Sequence, residues 1–146
     1  MDKALGYLAL ARKAGLVELG EEPAGAAARA VHAPLMIVAA DAGDHTWRRA
    51  KSFVAGTEQL CLRIPFTKDE MGQAVGRTCL AIAAFTDPAL ALAFVKALPQ
   101  PEQYTTELEA LERRTHRVRQ RQQEAKAFRR NKRQGKPHAG KAEKTD

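Results

Sequence analysis

The sequence predicts an α/β domain, a three-layer α-β-α sandwich, followed by a basic extension. Three observations carry this. Short apolar runs such as Leu35 to Ala40 and Cys79 to Phe85 read as strands covered on both faces. Amphipathic or capped segments of helical length separate them, and that alternation implies mostly parallel strands with helices on both sides. Finally, the charge is divided. Residues 1–98 hold 11 Lys and Arg against 10 acids, a net +1, whereas residues 99–146 hold 13 against 7, a net +6.

The elements follow in order. Leu5, Leu8 and Ala9 share one helical face, with Lys3, Arg12 and Lys13 off it and Gly15 as the stop. Leu16 to Leu19 alternates as a short strand. Glu21, Glu22 and Pro23 then form an acidic first turn with a proline where helices accept one, opening a helix to about His32. Close helix packing accounts for the small residues Ala26 to Ala30. The strand Leu35 to Ala40 ends at Asp41, and Asp44 is placed to cap a third helix reaching about Ala55. Leu60, Leu62 and Ile64 alternate with Cys61 and Arg63 as a strand near a sheet edge, which Pro65 terminates.

The segment Thr67 to Gly76 is the most informative of all. Thr67 and Glu70 have capping-box spacing, and Gly76 suits the left-handed residue past a helix end. A short helix therefore delivers Arg77 and Thr78 onto an exposed turn before the last strand, and we expect a ligand edge there. Asp87 and Pro88 then cap and open a helix carrying Leu90, Leu92, Phe94 and Val95. Pro99 and Pro101 close the domain at 1–98. In the extension 99–146, Thr106 and Glu109 have capping-box spacing, and Tyr104, Leu108, Leu111 and Val118 make a short apolar stripe. A helix over about 103–130 followed by disorder from about Asn131 is expected.

Chemistry that needs a constellation finds none in this sequence. Ser52, the sole serine, falls inside a helix among basic residues. His32, His45, His116 and His138 lack metal spacing, and no phosphate-binding glycine fingerprint occurs, so neither metal nor cofactor is expected. Cys61 and Cys79 read as small buried hydrophobes. Asp41 and Asp44 follow a central strand, where α/β sheets often bind ligands, yet a loop acid and a helix cap explain them as well. Trp47 with Arg48, Arg49 and Lys51 reads equally as a stacking surface or as a core tryptophan beside a solvated basic face. The N-terminal apolar stretch starts at Asp2 and is broken by Arg12 and Lys13, and no uncharged run approaches the roughly 18 residues of a membrane span. A soluble, reduced, cytoplasmic protein is the expectation.

The extension is the basic part. Residues 113–136 hold 11 cations and a single acid. Such density suits a polyanion, with Arg113, Arg114, Arg117, Arg119, Arg121, Arg129, Arg130, Lys132 and Arg133 as candidate phosphate contacts. Two other readings exist. The stripe from Tyr104 to Val118 suits an adaptor helix, and anionic membrane contact is disfavoured by the lack of a wide apolar side with Trp and Leu.

Taken together, Leu8 to Gly15, Gly20 to Glu22, Asp41 and Ala42 with Thr46, Arg48 and Arg49, the block Met71 to Gly76, and Thr86 and Asp87 resemble the kink-turn-binding ribosomal protein superfamily called L-seven-Ae and L-thirty-e, particularly its small bacterial members. The resemblance covers residues 3–98. It implies a sandwich around a small mixed four-stranded sheet, in which the short first strand runs against its neighbours, and non-catalytic RNA binding. The RNA-binding positions it implies are Lys13, Gly20, Glu21, Glu22, Gly76, Arg77, Thr78 and Cys79. Structured RNA, ribosomal or of another kink-turn kind, and the ribosome become the expected partners of a monomer with no membrane partner. Kink-turn binders carry Gly-x-Asn-Glu with a Lys one turn later. Here those positions are Glu22, Pro23 and Ala26, which removes an amide donor and a phosphate contact.

Overall fold

The computed structural model describes residues 2–133. They fall into two compact units, 2–112 and 113–133. The first contains α1 (Lys3–Ala14), β1 (Val17–Leu19), α2 (Glu21–Arg29), β2 (Leu35–Val38), α3 (Asp44–Val54), β3 (Leu60–Arg63), α4 (Lys68–Ala74), β4 (Ile82–Phe85) and α5 (Pro88–Lys96). A 3-10 turn, Pro101–Tyr104, leads into α6 (Thr105–Arg133), whose start also belongs to this unit.

Four strands form one mixed sheet in the order β1-β4-β2-β3. β2 pairs with β3 in parallel, but β4 runs antiparallel to both β2 and β1. The expectation of mostly parallel strands is corrected in the pairing, since two of the three neighbouring pairs are antiparallel although β1, β2 and β3 share one direction. Alternation of helix and strand constrains only strands joined by crossovers on the same edge, and β4 enters the sheet from the edge at which β3 leaves it. The mixed sheet implied by the resemblance is the arrangement found.

β2 and β4 are buried on both faces, and their apolar runs are the centre of the core. α1 packs against α4 and α5, while α2 packs against α3. The two helices of the second pair approach closely. A Cβ on Gly25 would lie 2.8 Å from the Phe53 ring, so a glycine at this position sets the separation. Ala24 and Ala28 are buried beside it and Ala26 faces outward, which gives the small residues of α2 their packing role.

Several boundaries differ from expectation for local reasons. α2 ends at Arg29, and the last strand begins at Ile82 rather than Cys79, because residues 76–81 form a turn. Asp44 is inside α3 and Gly43 occupies its cap position without a side-chain bond. Thr106 lies within α6, since the preceding 3-10 turn starts the helical path earlier, and Thr105 Oγ1 donates to the Glu102 carbonyl at 2.9 Å. Leu111 is buried, with Tyr104 and Leu108 packed against the same core. That part of the apolar stripe is engaged within its own unit, which weakens the adaptor reading.

The second unit consists of the remainder of α6, helical through Arg133. Asn131 to Arg133, expected to be disordered, are helical; the rest of that expectation, residues 134–146, lies outside the described residues. Among the described residues, no helix is long and apolar enough to cross a membrane.

Candidate nucleic-acid interface

Three parallel strands, β1, β2 and β3, end at one edge of the sheet, and the antiparallel β4 begins there. α2, α3 and α4 all start from that edge. Their first-turn amides have no intrahelical acceptors. Gly20 closes β1 and its N–H donates to the Ile82 carbonyl at 2.9 Å, which fixes the start of α2 beside the start of β4. Its φ of 97°, open to glycine and strained for side chains, lets the chain turn directly from strand to helix.

The opposite wall is the turn from Gly76 to Cys79, exposed throughout. α4 holds it. The capping box forms as the spacing predicts: Thr67 Oγ1 accepts from the Glu70 N–H at 3.1 Å, and Glu70 Oε1 accepts from the Thr67 N–H at 2.9 Å. Asp41 adds a second cap, accepting from the Lys68 N–H at 2.8 Å across 27 residues of sequence. At the other end Gly76 takes a φ of 76°, and the Arg77 N–H donates back to the Gly72 carbonyl at 2.8 Å. The Leu80 N–H donates to the Lys68 carbonyl at 3.0 Å, so the turn is tied to both ends of the helix. Gly72 lies beneath it with no room for a Cβ, which would sit 2.7 to 2.8 Å from backbone atoms of Arg77 and Cys79.

The two walls meet. The Arg77 guanidinium reaches to 3.7 Å from where a Cβ on Gly20 would stand. Glu21 and Glu22 differ in partners. Arg49 on α3 forms an ion pair with Glu21, whereas Glu22 is exposed on the first turn of α2 with no ion pair among the described residues. Pro23 has no N–H, so Glu21 and Glu22 supply the free helix-start amides. The edge therefore combines a cation at Arg77, an acceptor at Glu22, backbone donors, and the Thr78 hydroxyl.

Gly20, Glu21, Glu22, Gly76, Arg77, Thr78 and Cys79 are thus gathered on one edge. Lys13 is not. It lies in the last turn of α1, before the start of β1, and three strand residues of about 3.3 Å each separate that end from Gly20. The reading of Cys79 as a buried hydrophobe is corrected: it lies in the turn, not in the strand, and is exposed. Cys61 is half-buried, and burial pushes its thiol up to about 12, with the Lys51 ammonium opposing by less.

Trp47 packs partly against the core, with Arg63 and Lys51 over its ring at 5.1 and 5.3 Å from the centroid. Both cations therefore lie over the ring on which a base would stack. The tail candidates Arg113, Arg114, Arg117, Arg119, Arg121, Arg129, Arg130, Lys132 and Arg133 all lie on α6. The role of Gly72 as the seat of the turn and the capping of α4 by Asp41 were missed. A glycine in the middle of a helix, where it is unfavourable, was the available signal for the first.

No protein-family model matches the chain, and no curated protein matches it. Solved structures do. One is a protein of unknown function from Bacillus halodurans, 26% identical, with a TM-score of 0.56; the match covers 64% of this chain and 98% of that one. Another is the Giardia lamblia 15.5kD RNA binding protein, 18% identical, with a TM-score of 0.56, covering 75% of this chain and 87% of that one. The likeness to the second is one of fold.

Proposed function

We propose that the chain is a non-catalytic RNA-binding protein of the L-seven-Ae type, ribosome-associated, which recognises structured RNA containing a kinked internal loop. The observation that carries this is the meeting of Arg77 with Gly20 at the start of α2. An RNA-binding protein with the same fold supports it. Arg77 supplies a charge-assisted donor for a phosphate or a guanine edge. Glu22, which only accepts, suits base amino groups rather than phosphate, and the helix-start amides supply neutral donors beside it. Because the donors are fixed by backbone hydrogen bonds and not by flexible side chains, the edge reads the shape of unstacked bases at a loop. The basic part of α6 adds phosphate affinity that depends on salt.

Arg77 is exposed, so its replacement leaves the core intact. Arg77→Glu is expected to cut affinity for a kinked internal-loop RNA by roughly tenfold to a hundredfold, the range for loss of a good base or phosphate contact, with less than about threefold loss on a plain duplex. Fluorescence anisotropy on both RNAs measures this. Equal losses on the two would remove the specific site. Gly20→Asp is a poorer probe because it also strains the backbone.

A further inference from the structure

The basic part of α6 is patterned as well as charged. With 3.6 residues per turn, His116, Gln120, Gln123 and Ala127 stack along one face at spacings of four, three and four. None is a Lys, Arg, Asp or Glu, and the first three are exposed. Arg113 and Arg117 border this stripe on one side, Arg119, Lys126 and Arg130 on the other. Glu124, the one acid of the segment, sits on the first border. The helix has no Gly or Pro from Thr105 to Arg133, and Arg, Gln, Lys and Ala are all good helix formers.

A flexible polycation draws its affinity from the number of its charges and has no use for such a stripe. A rigid helix whose hydrogen-bonding ridge runs between two rows of cations matches a groove, with base edges as its floor and a phosphate backbone on each wall. Gln120 and Gln123 are about 4.5 Å apart along the axis. That is little more than the roughly 3.4 Å stacking distance between neighbouring bases, and a Gln amide is the natural bidentate partner of an adenine edge. The major groove of a regular RNA duplex is too deep and narrow for side chains to read, so the receptive stem must be opened by a bulge or internal loop.

We propose that the helix from Arg113 to Arg133 inserts lengthwise into the major groove of an RNA stem opened by a bulge, with Gln120 and Gln123 on adenine edges and the flanking arginines on the two backbones. This rests on the RNA-binding reading above. It assigns sequence preference to a segment otherwise expected to supply charge alone.

The test uses the full chain and three labelled probes: a bulged RNA stem containing adenines at the opening, the same stem fully paired, and the paired sequence as duplex DNA. Q120A/Q123A alters no charge. It is expected to lower affinity for the bulged stem about tenfold and to leave the fully paired stem and the salt slope unchanged. Ala125→Pro, on the face opposite the stripe, keeps every cation and amide but breaks the helix, and is expected to cost at least as much on the bulged stem. If either variant stays within about twofold of the parent there, the groove-reading helix is overturned and the tail acts by charge alone. Tighter binding to the DNA duplex than to the bulged RNA would overturn the choice of RNA. Should the parent protein bind neither RNA, the RNA-binding reading itself falls, an outcome distinct from the failure of the stripe.

Discussion

Gly72 sits in the middle of a seven-residue helix, where glycine costs up to about 1 kcal/mol relative to alanine. The turn explains it. Backbone atoms of Arg77 and Cys79 occupy the space that a Cβ would fill, and backbone yields less readily than the end of a side chain. Gly72→Ala is therefore expected to destabilise by about 1–3 kcal/mol, reversing the sign that helix propensity alone predicts. Urea unfolding measures it, and a variant as stable as the parent would show that the turn is not seated on α4. Thr67, Glu70 and Gly76 were legible because their roles are local, written within a few residues. Gly72 was not, because its partner is a backbone segment that reaches it only after the chain has turned. Cys79 was misread for a similar reason. Its apolar neighbours from Leu80 onward mark a strand, but the strand starts later, and the thiol stays in the turn.

Among the elements, α4 shows how a short helix can be a firm support. Seven residues are far below the length at which an isolated helix is stable, so its geometry depends on its ends. Thr67 and Glu70 satisfy one end locally, and Asp41 satisfies the same end from the loop after β2. Asp41→Ala is expected to cost about 1 kcal/mol, as loss of a helix cap does, read as a lower urea midpoint with an unchanged m-value. An unchanged midpoint would mean that the Asp41 bond contributes nothing to holding α4. The sequence marks Asp41 as a loop acid after a central strand, but the helix it caps lies 27 residues away, and no periodicity spans that distance. In contrast, Asp87 with Pro88 caps its own next turn, and both residues take the roles their spacing predicts.

At the scale of the whole molecule, the mixed sheet matters most for the site. Had β4 been parallel to β2, its preceding turn would stand at the opposite edge, away from Gly20. Running antiparallel, it delivers Arg77 to the edge where α2, α3 and α4 begin. Alternating helices and strands do not encode that reversal, which depends on which edge each connection crosses. The resemblance implies a mixed sheet but puts the reversal at the first strand, whereas β1 shares the direction of β2 and β3 and β4 is the strand that runs against its neighbours. Lys13 shows the converse: a cation next to the candidate segment in sequence ends at the far end of β1 in space. The division of charge was visible at once, being a matter of composition, and the described part of the basic extension is helical through Arg133.

Cys79 offers the most direct test of the central claim, that RNA docks on the edge formed by Gly20 and the Arg77 turn. Its thiol is exposed within that turn, while Cys61 is half-buried with its thiol pushed up to about 12 and serves as a slow internal reference. Alkylation rates of the two, followed by mass spectrometry with and without saturating kinked internal-loop RNA, report occupancy of the turn. At least about a tenfold slowing is expected at Cys79, since a docked loop excludes reagent from the turn, and no slowing with a plain duplex held by the basic helix alone. Unchanged labelling of Cys79 at full RNA saturation would contradict the claim.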